Sequence, residues 1–199
     1  MNILIDLLPN NVVIEDKKYK INSDFRTSIL FELLMQDDNL SEEDKLYYAL
    51  NLYYPVLPKN INEAVEKILW FYKCGKDNYD NSSSKRKSKV IEQIYSFEYD
   101  DDYIYSAFLD QYGVDLQDIE YLHWWKFKAM FKALKEDNEI VKIIGYRSID
   151  LSKLKDKSQR EYYKNMKQLY EIPKSKNELE KINEIEEALL NGKGLSKIL

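Results

Sequence analysis

The sequence predicts a mainly α protein: a single helical domain of about six to eight helices with a small N-terminal β-hairpin and a peripheral C-terminal helix. Three observations lead there. From about residue 25 onward apolar residues recur at helical spacing, while alternation with a period of two occurs in one place only. The segments are also punctuated by helix caps and by Gly or Pro stops. Finally, 199 residues suit one core, since a chain of this size buries roughly 70% of the surface it exposes when unfolded. The domain is assigned to residues 1–173, and residues 174–199 are assigned to a charged helix and tail.

Val12-Val13-Ile14-Glu15 and Lys18-Tyr19-Lys20-Ile21 alternate around Asp16-Lys17, which predicts a hairpin over 12–21 with those two residues at its turn. Ser23 or Asp24 offers an N-cap for a helix from Phe25 to about Gln36. Ser41-Glu42-Glu43-Asp44 resembles a capping box and opens a helix carrying Leu46, Leu50 and Tyr53, closed by Pro55 and Pro58. Asn60 opens a third helix with Val65, Ile68, Leu69 and Tyr72 inward and Gly75 as its stop. Residues 76–89 carry no apolar period and read as a mobile loop inside the domain.

A helix follows from about Asp100 to Tyr112, ended by Gly113. Asp115 is placed as the cap of an aromatic helix over 116–134, whose acids lie early and whose Lys126, Lys128, Lys132 and Lys135 lie late, as the helix dipole favours. Its stripe is Ile119, His123, Phe127, Met130 and Leu134, and Tyr121, Leu122, Trp124, Trp125 and Phe131 widen it beyond one face. A short helix over about Glu139–Ile144 stops at Gly145. After a short turn comes a helix from about Lys157 to Tyr170, with Tyr162, Met166, Leu169 and Tyr170 on one face, ended by Pro173. Leu179, Ile182, Ile185 and Leu189 give the final Glu/Lys-rich segment a narrow helical stripe.

The charge of −5 is uneven: residues 1–84 carry fourteen acids and nine bases, and residues 85–199 carry twenty-one of each. Neither half has the excess of Lys and Arg that a polyanion needs, so nucleic acid is not the expected partner. The single cysteine, Cys74, excludes an internal disulfide and fits a reducing compartment. Met1–Leu8 is apolar but short, lacks basic residues and contains Asp6; it reads as neither a signal peptide nor a membrane span.

Candidate sites are few. His123 stands on an apolar stripe without a second ligand at metal spacing, and reads as a packing histidine. The acids of Glu98–Asp102 lack the alternate spacing of a calcium loop and fit a helix N-terminus. Lys85–Lys89 reads as a solvated loop, with no interleaved aromatics to stack on bases. No phosphate loop, nucleophile elbow or paired-histidine motif is present, so neither an enzyme nor a cofactor is expected. The remaining candidate is a partner-binding groove made by Tyr121, Trp124, Trp125 and Phe131, with Tyr146 and Arg147 beside them; aromatic residues of this kind serve both cores and binding hot spots.

Six segments together carry a resemblance: Met1–Pro9, Ile21–Arg26, Trp70–Gly75, Tyr112–Leu116, Tyr121–Phe127 and Gly145–Asp150. In this order they resemble the gene-product-fifteen family of tailed phages and prophages of Gram-positive bacteria, over about residues 1–173. The resemblance implies a gene beside that of the tape-measure protein, where tail-assembly chaperones are usually encoded. It therefore implies a chaperone of tail morphogenesis in the host cytoplasm, with the tape-measure protein as partner, and self-association or the tail-tube protein as further contacts. A structural tail or connector component and a nucleic-acid-binding regulator are the alternatives. The resemblance implies no catalytic residues.

Overall fold

The structure, a computed structural model, describes residues 1–76 and 93–173. Its described elements are strands β1 (Asn11–Ile14) and β2 (Lys17–Lys20) and helices α1 (Phe25–Gln36), α2 (Glu42–Tyr53), α3 (Ile61–Tyr72), α4 (Asp101–Tyr112), α5 (Trp124–Lys132), α6 (Glu139–Ser148) and α7 (Lys157–Leu169), with a 3-10 turn at Leu151–Lys153. The fold is mainly α with an N-terminal antiparallel hairpin, as the patterning predicts. The expected loop over 76–89, apart from Lys76, and the expected helix within 174–199 lie outside the described residues.

The hairpin turn falls one residue earlier than expected. Ile14 pairs with Lys17, so Glu15 and Asp16 form the turn, at φ 46° and 60°. Two left-handed residues match the right-handed twist of the strands. Glu15 is held there by α3, because its N–H donates to Glu63 and its carboxylate accepts from Asn60. Val12 and Ile14 point into the core and Val13 out, as alternation requires.

Three helices start at the caps read from sequence. Asp24 accepts from the Arg26 N–H, Ser41 from the Asp44 N–H and Asn60 from the Glu63 N–H. Gly75 (φ 65°) and Gly113 (φ 63°) end α3 and α4 in the left-handed region. In α3 the inward residues are Ala64, Ile68 and Phe71, whereas Leu69 faces out.

The aromatic helix is shorter than predicted. Asp115 closes a local turn by accepting from the N–H groups of Gln117 and Asp118, and caps no long helix. The chain then runs extended through Leu122 and His123 and bridges back to α1: Phe25 N–H donates to Leu122 O, Trp124 N–H to Ser23 O, and Leu122 N–H to Asp24. Backbone groups committed to this bridge cannot form i→i−4 bonds, so α5 begins only at Trp124. His123 is its N-cap: Nδ1 accepts from the Trp125 N–H at 3.1 Å, while Nε2 lies 3.1 Å from Pro9 O.

Two later elements also depart from expectation. α6 does not stop at Gly145 but continues to Ser148, because Arg147 on its last turn is held by a buried carboxylate. On α7 the expected inward face is only partly inward: Met166 and Tyr170 are half-buried whereas Tyr162 and Leu169 are exposed, and Tyr163, outside that face, is half-buried in place of Tyr162.

Phe127 stands at the centre of the core. It stacks on Phe108 (4.9 Å), Phe25 (5.0 Å) and Trp124 (5.7 Å), joining α4, α1 and its own helix in one aromatic column. Each such pair contributes about 0.5–1.5 kcal/mol beyond its area. Outward from this column, α1 packs on α2 and α5, α5 on α4, α4 on α6, α6 on α7, and α3 on α2 and β1.

Candidate docking surface

The residues nominated for a partner groove are not brought together as a surface. Trp124 and Trp125 are buried, which corrects the expectation that they line an open partner groove. Their indole N–H groups donate to Tyr72 O (2.9 Å) and Phe71 O (2.8 Å), two carbonyls in the last turn of α3, of which Phe71 O also accepts from the Cys74 N–H. Stacking of Trp124 on Tyr72 at 5.5 Å and an edge contact of Trp125 with Trp70 at 5.6 Å complete the joint. The double tryptophan is thus the C-terminal clamp on α3. Phe131 is half-buried against Tyr95 and Phe97.

Arg147 is buried too, and it gives Asp100 a second role within the Glu98–Asp102 acids, which otherwise open a helix as expected. Asp101 and Asp102 are exposed in the first turn of α4, but Asp100 points inward and meets the Arg147 guanidinium. Sequence reasoning separated these two residues because neither has a periodic signature. Tyr146 joins a ring cluster with Tyr162, Tyr163 and Tyr170 between α6 and α7. Tyr121 remains 53% exposed, its hydroxyl 2.7 Å from Ser23 Oγ, on the rim of a polar depression.

His123 is buried as a packing and capping residue, and among the described residues no group of His, Cys, Asp or Glu has metal-holding geometry. Burial lowers its pKa, with the charge of Lys126 adding and the bond to Pro9 opposing. Burial also pushes the Cys74 thiol up, which leaves it the protonated and less nucleophilic form. Lys85–Lys89 lies outside the described residues.

An open apolar groove lies elsewhere, between α1 and α2. Leu30, Leu33, Leu34 and Asp37 fall at i, i+3, i+4 and i+7, and Tyr48, Asn51 and Leu52 at i, i+3 and i+4, on opposite banks of a groove of about 480 Å³. Leu30 is 51% exposed and Tyr48 47%. The inner side of α1 is already used, since Phe25, Ser28 and Phe31 are buried and Ser28 shares a hydrogen bond of 2.9 Å with Tyr53. α1 is therefore the helix with two apolar sides. The signal was legible in Ile29-Leu30-Phe31 followed by Leu33-Leu34-Met35, a run too apolar for one face.

Among the described residues no lysine or arginine lines this groove, and the one charged residue that does, Asp37, stands at the end of α1. Two parallel ridges of Leu and Tyr fit the apolar stripe of another helix, which reads such a groove through its own i, i+3, i+4 and i+7 positions. No helix among the described residues is long and apolar enough to cross a membrane.

Residues 4–172 match the family described as Bacteriophage Gp15 protein. No curated protein and no solved structure matches the chain.

Proposed function

The chain belongs to the bacteriophage Gp15 family, and from that premise we propose that it is a tail-morphogenesis protein, a tail-assembly chaperone that holds the tape-measure protein before the tail tube polymerises. The observation that carries this reading is the unfilled apolar groove between α1 and α2. A tape-measure protein is long and helical, and its apolar stripe needs cover until tube subunits enclose it. The groove supplies such cover from Leu30, Leu33, Leu34, Tyr48 and Leu52 without any reacting group, and the protein acts by binding rather than by catalysis. Many copies on one client give avidity even where each site is weak. The host cytoplasm is where this encounter takes place.

Co-expression with the neighbouring tape-measure gene tests the proposal. The native chain is expected to keep the tape-measure protein soluble and to be recovered with it. Leu30→Glu and Tyr48→Glu place charges on half-exposed positions, so they are expected to leave the fold intact and to lose the client. Recovery of the client by both folded variants would refute the groove. Finding the protein at stoichiometric copy number in purified virions would instead favour a structural tail component.

A further inference from the structure

A second cavity, of about 360 Å³, opens between α1, α4 and the segment before α5, with Phe25, Phe97, Ile104 and Phe127 as its apolar lining. At the small end of the ~300–1,000 Å³ range of ligand pockets, it has room for one large side chain. Its mouth carries Asp101 and Gln117, and beside them the Tyr105 hydroxyl lies 3.1 Å from Asp115. The bond to Asp115 comes first in raising the pKa of that hydroxyl, with desolvation and the charge of Asp118 adding.

The stretch of chain that supplies half of the cavity's lining is one-sided in charge. From residue 101 to residue 125 the chain has six acids, Asp101, Asp102, Asp110, Asp115, Asp118 and Glu120, and no Lys or Arg. Among the described residues Arg26 is the one cation lining the cavity, and it is already engaged: its guanidinium meets Asp24 at 3.3 Å and donates to Leu116 O and Ile119 O at 2.8 Å. Asp101 has no ion-pair partner among the described residues. An apolar floor under an acidic mouth selects an apolar anchor carried between cations, and rejects the same anchor between acids.

We propose that this cavity binds a basic segment of a partner protein, taking one aromatic or aliphatic side chain flanked by Lys or Arg. The site is separate from the α1–α2 groove and does not depend on what that groove binds.

The probes are three fluorescent alanine-based helical peptides of roughly 20 residues, long enough to hold helix in water. One carries a Phe flanked by lysines, one the same Phe flanked by glutamates, and one the lysines with Ala in place of Phe. Titrated with the full chain, the Lys/Phe peptide is expected to bind about tenfold or more tighter than either control, and to weaken as salt rises from about 50 to 300 mM. Asp101→Lys, at an exposed position, is expected to remove the preference without unfolding the chain. Ile104→Trp, which fills the cavity, is the second variant, checked for folding by circular dichroism.

Equal binding of the lysine and glutamate peptides, indifference to Phe→Ala, or an unchanged affinity in folded Asp101→Lys would overturn the proposal. So would absence of binding at about millimolar peptide. Sedimentation of the native chain as an oligomer that Asp101→Lys dissociates would also overturn it, by giving the cavity to a second copy.

Discussion

Arg147 and Asp100 form a bidentate ion pair across the interior: Nη1 and Nη2 lie 2.6 and 2.9 Å from the two carboxylate oxygens, and both residues are buried. Arg147 also donates to Tyr170 O and Ile94 O, and Asp100 accepts from the Ser96 N–H. One charge pair thereby ties α6, the start of α4, the 94–96 segment and the end of α7.

Removing one partner leaves the other charge buried and alone. Arg147→Ala is expected to cost about 3–5 kcal/mol in urea unfolding. Arg147→Lys keeps the charge but not the planar fork, and should fall between native and Ala. The double variant Asp100→Leu/Arg147→Met should be more stable than either single one. Additivity of the two single changes would contradict a direct pair.

The indoles of Trp124 and Trp125 cap α3 as well as fill the core. Trp124→Phe and Trp125→Phe keep a ring but remove these bonds: the first leaves Tyr72 O without its indole donor, at a cost of about 1–3 kcal/mol, and the second costs less, about 0.5–1.5 kcal/mol, because Phe71 O keeps the Cys74 N–H. Hydrogen exchange should show the last turn of α3 loosening first in both variants. Fraying confined to α5 would contradict the clamp.

His123 makes stability depend on pH. Its folded pKa lies below the ordinary 6.5, chiefly because it is buried, so the unfolded chain takes up the proton first. Stability from this group is complete above about 6.5 and declines as pH falls from there toward the folded pKa. Protonating Nδ1 would also remove the cap acceptor for the Trp125 N–H. Urea unfolding at pH 7.5 and 5.5 should show a loss in the native chain that His123→Asn, which retains a capping oxygen, does not show. Asp115 and Asp150, whose pKa values are lowered mainly by local hydrogen bonds, act in a separate window: their stabilisation is present above about 3.8 and is lost in acid.

Three glycines separate backbone strain from packing. Gly113→Ala meets open space at φ 63°, so it should cost only the left-handed penalty of about 1–2 kcal/mol. Gly75→Ala, at φ 65°, also drives its Cβ to 2.7 Å from the Trp125 ring, and should cost about 1–3 kcal/mol more. Gly145→Ala, helical with no atom within 4 Å, should stabilise the chain by about 0.5–1 kcal/mol. Thermal melts of the three rank these effects, and equal losses at Gly75 and Gly113 would exclude the close approach.

Local signals were legible in the sequence and long-range ones were not. Asp24, Ser41 and Asn60 announced helix starts because a cap acts on N–H groups two or three residues away. The bridge from Leu122–Trp124 to Ser23–Phe25 spans about a hundred residues, so a helical pattern that included Tyr121 and His123 overran the true start of α5. Aromatic content drew attention to Trp124 and Trp125, yet the same area that makes a hot spot makes a core, and only the packing of α3 decides between them. The open apolar groove is lined instead by plain leucines on the second side of α1.

The most direct test of the account is hydrogen–deuterium exchange of the full chain, alone and in complex with the co-expressed tape-measure protein. The account predicts added protection in Leu30–Asp37 and Tyr48–Leu52, the two banks of the groove, with α5 unchanged because it is already buried. Protection that spares both banks and appears only on α6 and α7 would contradict it.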